Sequence, residues 1–339
     1  MTRLHPSPVR PDQEVVLFDA AASLTADRRG WVVPVHAWVR DDRPLGRIPN
    51  VVDLAARALE LTPDPDDEAY LRERAAPFLA DDESWKQVNV RVGGRLCRLP
   101  LTDSEGHTRG TTVLPSSPAS GDEVSARVVL PRGDRRSVQA RVRLVGPTGL
   151  SVISDVDDTV KESNVVDRSE LLANTFLRRF RSIPGVPETF TEWARRGAAF
   201  HYVTSSPWQL YHPLRRFFDE VGLPVGPMEM KTFSVTLERF TALFADPLRT
   251  KLPSIEAILR AWPGRRFVLV GDSGEKDPEV YAEAARRNPG RVLRVFIRRV
   301  PGSDLADGRF REAFAGVAPE LWETFEDPAS LRLPTGAFA

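Results

Sequence analysis

Two patterns of apolar positions divide this chain. In the first half, short runs and alternations recur at Glu14-Val-Val-Leu-Phe18, residues 30–39, Val88-Asn-Val-Arg-Val92, residues 124–130 and residues 138–144. Alternation with a period of two predicts strands with one buried face, and several such strands predict a small β-sandwich or barrel. Between the second and third runs, residues 51–61 and 68–79 have helical spacing around a Pro-Asp-Pro-Asp-Asp turn, which predicts an inserted helical pair. Residues 104–121, rich in Ser, Thr, Gly and Pro, read as a flexible excursion.

Beyond Val145-Gly-Pro-Thr-Gly149 the pattern changes. Buried-strand runs at Val152-Ile153, Ala198-Ala-Phe-His-Tyr-Val203 and Phe267-Val-Leu-Val270 alternate with helical stretches at 171–181, 188–196 and around Ile255, Ile258 and Leu259. That order predicts an α/β domain with a doubly wound parallel sheet over residues 148–339, preceded by a smaller β-rich domain over residues 1–147 that carries the helical pair. The segment between the first two strands, broken at Pro184-Gly-Val-Pro187, is too short for a large lid. Between Thr204 and Lys251 there is space for a helix, a short strand ending at Lys231, and one more helix. An uncapped sheet edge admits a bulky or surface-held substrate.

Candidate chemistry falls at the ends of the buried runs, where open α/β sheets bind ligands. Ser151-Val-Ile-Ser-Asp-Val-Asp-Asp-Thr159 ends in three carboxylates and a hydroxyl. Asp155 is placed to attack phosphorus, and Asp157 to protonate a leaving oxygen and later activate water. An Asp-rich helix cap accounts for one or two of these acids but not for three followed by Thr159. Thr204-Ser-Ser-Pro207 offers a hydroxyl and backbone N–H groups at an expected helix start, with Pro207 in the first turn. Lys251, just before a helical pattern, supplies a cation for transition-state charge. Gly271-Asp272 closes another buried run, and Ser-Gly-Glu-Lys-Asp277 follows as a second acidic loop. So many carboxylates require a divalent cation.

Those residues resemble the four motifs of the haloacid dehalogenase superfamily, at Asp155/Asp157, Thr204, Lys251 and Asp272/Asp277. The chain is similar, more closely, to the fungal actin-patch phosphatidate phosphatase family. The shared stretches are Asp155-Val-Asp-Asp-Thr159, Asn174-Thr-Phe-Leu177, Ser206-Pro-Trp-Gln-Leu-Tyr211 and Gly271-Asp-Ser-Gly-Glu-Lys-Asp277, across residues 148–330. Related lipins carry Gly where this chain has Asp158. The fungal family's usual Ser-Asn pair stands here as Thr204-Ser205, which keeps the hydroxyl and loses the amide. The resemblance implies a haloacid dehalogenase-like sheet without a large cap and phosphatidate, or a related lipid phosphate, as substrate. Magnesium is expected between Asp155, Asp272 and a backbone carbonyl near Asp157, with Asp277 on the ion or its water. Thr159, Ser205, Trp208, Tyr211 and Lys231 complete the set as expected substrate contacts. Trp208 and Tyr211, three apart, either present an aromatic edge to lipid or pack their helix on the sheet.

Composition narrows the reading. The 339 residues are 41% hydrophobic, enough for two cores, and the formal net charge is zero, so broad electrostatic binding of nucleic acid is not expected. Five of the 47 basic residues are Lys. Cys97 stands alone in a strand-like run, so packing is its expected role. No leader-like start and no membrane-length apolar run is seen, and a cytoplasmic location, with peripheral membrane contact, is expected. Oligomeric state is not legible. The expected activity is a magnesium-dependent phosphomonoesterase acting through an aspartyl-phosphate. Two alternatives stay open: a phosphatase of nucleic-acid ends or phosphoprotein, and a phosphatidate-binding module without turnover.

Overall fold

The computed structural model describes residues 7–41, 51–116, 121–232, 247–303 and 307–338. Its contacts form two compact units. The first comprises the residues up to Val51, Leu79–Pro147 and Gly226–Met228; the second comprises Val52–Phe78, Thr148–Val225 and the residues from Glu229 onward. The helical pair expected within the β-rich domain therefore groups, except for its first and last residues, with the second unit. Arg74 shows why, since its guanidinium donates to the carbonyls of Thr175, at 2.9 Å, and Arg178, at 2.7 Å.

Strands β1 (Ser7–Pro8), β2 (Gln13–Leu17), β3 (Ala20–Leu24), β4 (Gly30–Asp41), β5 (Lys86–Val92), β6 (Arg95–Leu101), β7 (His107–Pro115), β8 (Glu123–Val128) and β9 (Gln139–Val145) make one mixed sheet in the first unit. Its path runs β1-β5-β8-β9-β3-β4-β2, with β6 on β5 and β7 on β4. Val33, Val39, Val90, Val92 and Leu144 are wholly buried in its core. The expected excursion at 104–121 instead contains β7, antiparallel to β4 from Pro115 opposite Gly30 to His107 opposite Trp38.

The second unit holds β10 (Gly149–Ser154), β11 (Ala199–Pro207), β12 (Met228–Lys231), β13 (Arg265–Asp272), β14 (Val292–Arg298) and β15 (Trp322–Phe325), in the order β12-β11-β10-β13-β14-β15. The pairings of β10 with β11 and β13, of β13 with β14 and of β14 with β15 are all parallel. Helices α1 (Val51–Leu59), α2 (Glu68–Ala75), α3 (Arg168–Phe176), α4 (Val186–Arg195), α5 (Tyr211–Glu220), α6 (Pro247–Ala261), α7 (Asp277–Arg287) and α8 (Asp307–Ala313) accompany it. A strand covered on both faces must be apolar throughout, and Val152, Ile153, Val268 and Leu269 are fully buried. The two faces show at neighbouring positions of β11. Phe200 packs on Phe190 of α4 with centroids 5.1 Å apart, whereas His201 points the other way and meets Trp262 at 4.7 Å. Among the described residues no helix is long and apolar enough to cross a membrane.

Candidate active site

Parallel pairing gathers the candidate residues. Ser154 of β10 lies opposite Tyr202 of β11 and Val270 of β13. One or two residues further along each strand stand Asp155, Thr204 and Asp272, which therefore share one edge of the sheet. The Asp155 N–H donates to Val270 O at 2.9 Å and continues the ladder past the last paired residue. Strand β11 runs on to Pro207, and α5 begins only at Tyr211 after a 3₁₀ turn. Thr204 thus sits within the strand rather than at a helix start.

Lys251 is held inside α6, although the spacing predicted a position just before a helix. Its ammonium lies 2.7 Å from Asp155 Oδ1, 2.7 Å from Asp277 Oδ1 and 2.8 Å from Glu275 Oε2. Burial alone would push the Lys251 pKa down, but Asp155, Asp277 and Glu275 outweigh it and hold the amine charged. Asp272 Oδ1 accepts from the N–H groups of Gly274, at 2.6 Å, and Glu275, at 3.1 Å, so the acidic loop is folded back on its own carboxylate. Gly271 has to be glycine here. A Cβ at that position would stand 2.4 Å from Asp277 Oδ2 and 2.6 Å from the Tyr281 ring.

Asp157 faces a different set. Its Oδ1 is 2.9 Å from Lys161 Nζ and accepts from Ser163 Oγ at 2.7 Å, while Oδ2 accepts from Thr204 Oγ1 at 3.1 Å and Ser206 Oγ at 2.8 Å. Burial pushes this carboxyl up, but the Lys161 charge and the bonds from Lys161, Ser163 and Ser206 prevail and hold its pKa at about 2. Asp158 adopts a left-handed backbone, φ 52°, a conformation that glycine takes most readily. Its carboxylate ties down the next turn by accepting from the N–H groups of Ser163, Asn164 and Val165 at 2.8, 2.9 and 2.6 Å.

Carboxylate oxygens of Asp155, Asp272 and Asp277 all lie within 4.8 Å of one another, and the three residues are buried. Burial, opposed by Lys251 and reinforced by the neighbouring acids, raises the Asp155 carboxyl well above its usual range. Burial and Asp277 do the same to Asp272. Asp155 Oδ2 and Asp272 Oδ2 are buried without a hydrogen-bond partner among the described residues. Four acids around one ammonium, with two orphaned oxygens, make a donor set that fits a hard divalent cation. The Asp157 carboxylate stands outside this group, its oxygens turned to Lys161 and the three hydroxyls, so the contact expected from this position is the backbone carbonyl and not the side chain.

The remaining expected contacts divide. Thr159 is 1% exposed and its Oγ1 has no hydrogen-bond partner among the described residues. Ser205 donates to Glu275 Oε2 at 3.2 Å. Trp208 and Tyr211 are buried, with ring centroids 6.4 Å apart, so neither presents an aromatic edge to lipid: their surface packs inward with the 3₁₀ turn and α5. Lys231 ends β12 and is half-buried. The sequence reading missed Lys161, Ser163, Ser206 and Glu275. Lys161 falls four residues after Asp157, a spacing that signals an ion pair in helices but carries no such message in a loop.

Comparison with known proteins bears on the same segment. Residues 150–299 match the family described as phosphatidate phosphatase APP1, catalytic domain. Over 160 residues the chain is 35% identical to phosphatidate phosphatase APP1 of Saccharomyces cerevisiae, covering 45% of this chain and 26% of that protein. An uncharacterised Schizosaccharomyces pombe protein is 30% identical over 208 residues, covering 59% of this chain and 34% of its own length. The chain thus spans about a third or less of the length of these curated relatives. A Thermotoga maritima crystal structure described as a β-phosphoglucomutase aligns over 52% of this chain and 94% of its own, with 15% identity and a TM-score of 0.32, too low to build on.

Proposed function

We propose that this chain, whose residues 150–299 match the APP1 catalytic-domain family, hydrolyses a phosphomonoester through Asp155, with phosphatidate or a related lipid phosphate as substrate and magnesium as cofactor. The fold reading that accompanies it is the doubly wound haloacid dehalogenase arrangement without a large cap. One observation carries the chemistry. Lys251 fixes Asp155 by Oδ1 and leaves Oδ2 buried, without a partner among the described residues and at the strand edge where a phosphoryl group would arrive.

In the proposed reaction, Asp155 Oδ2 forms a bond to phosphorus as the bond between phosphorus and the lipid alcohol oxygen breaks. Lys251 neutralises charge on the phosphoryl oxygens. Asp157 supplies the proton to the departing oxygen. It must exchange its Lys161 and hydroxyl contacts for that proton, whereas for the second step it already stands as a carboxylate able to take a proton from water. Water then breaks the aspartyl-phosphate and releases inorganic phosphate. Asp155, Asp272 and Asp277 would hold magnesium, which would supply further neutralisation of phosphoryl charge. Thr204 and Ser206 hold Asp157 in place, and Ser205 ties the end of β11 to Glu275.

Phosphate release from phosphatidate in mixed micelles, a nucleoside monophosphate and a phosphoserine peptide, each with magnesium, tests the reading. The expected order puts phosphatidate first. Release from the nucleotide or peptide with none from phosphatidate would move the substrate, and none from any of the three would leave a binding module.

A further inference from the structure

Apart from the acid site, the second unit has an open pocket bordered by α2, the segment after α3, and α5. Arg74, Arg179 and Arg216 line it beside Glu73 and Glu220, and the space within is about 60 Å³, room for a group of phosphate size and not for an acyl chain.

The cation at its centre is unusual. Arg74 is 4% exposed and makes no ion pair among the described residues. Its guanidinium stacks 3.8 Å from the Phe180 centroid and 4.7 Å from that of Tyr70. Among the described residues the carbonyls of Thr175 and Arg178 accept from it, and its Nε is buried with no hydrogen-bond partner there. Burial opposes this charge more than the neighbouring Glu73 favours it, and an anion in the pocket would offset that cost. Two more cations stand nearby. Arg216 pairs with Glu73 at 2.7 Å and Arg179 with Glu220 at 3.4 Å, their side chains 60% and 74% exposed. Exposed pairs of this kind are worth at most about 1 kcal/mol, so both arginines are free to exchange a carboxylate for a multidentate anion.

We propose that this pocket binds a phosphate group, carried on a lipid or free in solution, with Arg74 as the buried contact and Arg179 and Arg216 as the exposed ones. The aromatic walls from Tyr70, Phe180 and Phe217 accommodate the apolar neighbour of such a group. The proposal is independent of the phosphatase reading, because the acid site grips its phosphoryl group with Lys251 and this pocket is built from arginine.

That difference supplies the test. The Asp155→Asn protein, in which phosphatidate is not consumed, is labelled with phenylglyoxal and each arginine is followed by peptide mass spectrometry. Arg195 and Arg260, similarly exposed at 69% and 70% and likewise paired with glutamates, serve as references. Inorganic phosphate at three times its Kd should slow labelling of Arg179 and Arg216 about fourfold while the references and a chloride control at equal ionic strength do not change. Phosphatidylcholine vesicles with and without phosphatidate form the second arm. Protection by phosphatidate vesicles at lipid concentrations where inorganic phosphate gives none assigns the site to a lipid headgroup. Protection no stronger than that of inorganic phosphate assigns it to the free anion. Labelling of Arg179 and Arg216 that follows the references with both probes would overturn the proposal.

Discussion

Lys161 and Asp157 form a buried ion pair, Nζ to Oδ1 at 2.9 Å, with side chains 2% and 5% exposed. The second acid of the motif therefore carries its own counter-charge, separate from the Lys251 cluster. Removing one partner of a buried pair strands the other. Lys161→Met is expected to destabilise the protein by about 3–5 kcal/mol in urea unfolding and to lower kcat with little change in KM. Unchanged stability and kcat would show that the hydroxyls alone hold Asp157.

The two acids should fail differently. Asp155→Asn removes the attacking carboxylate and should abolish turnover. Asp157→Asn should still bind substrate while losing proton transfer, about 10²–10⁴-fold in kcat. Full activity in an Asp155→Asn preparation free of wild-type protein would remove Asp155 as nucleophile.

Metal removal is the next test. With four acids against one ammonium, chelation by EDTA should silence phosphate release, and magnesium should restore it. Magnesium should also stabilise the fold, by about 2.7 kcal/mol at a hundredfold excess over its Kd, and Asp272→Asn should weaken that gain. Thermal unfolding with and without magnesium reads this independently of activity. An unshifted Tm together with full activity after chelation would contradict the cation site.

The strand ends were legible in the sequence for a physical reason. Strands β10 and β13 are covered on both faces, so their apolar runs stand out and an acid at the end of each is conspicuous. Strand β7 hid because most of its middle positions are exposed or half-buried, which admits Thr, Arg and Gly and mimics a loop. Lys161 and Glu275 hid for the opposite reason. Charged loop residues ordinarily face water, and only the closure of the Asp158 turn and the Asp272 loop buries these two. Two of the chain's five lysines stand in the site, Lys161 from that turn and Lys251 from α6, whose compact ammonium meets three carboxylates at once.

His201 predicts an acid response. Its ring is fully buried against Trp262, neither nitrogen has a hydrogen-bond partner among the described residues, and burial, helped by Arg265, lowers its pKa to about 3. The folded state therefore binds fewer protons than the unfolded one between pH 6.5 and 3. Stability is fully present above the first value and is lost as pH falls toward the second. His201→Phe removes that term. Relative to wild type, the variant should gain about 2–3 kcal/mol between pH 7.5 and 4.5 in urea unfolding. A difference that stays constant over that interval would mean the imidazole is not held neutral by the fold.

The central claim is that Asp155 carries the phosphoryl group of a lipid phosphate. The most direct measurement is acid quenching of the enzyme during phosphatidate turnover with magnesium, borohydride reduction of any acyl phosphate to its alcohol, and peptide mass spectrometry. The account predicts the reduced product at position 155, absent when substrate is omitted. Reduction at another carboxylate, or phosphate release at full rate with no adduct trapped under conditions that trap a known aspartyl-phosphate enzyme, would contradict it.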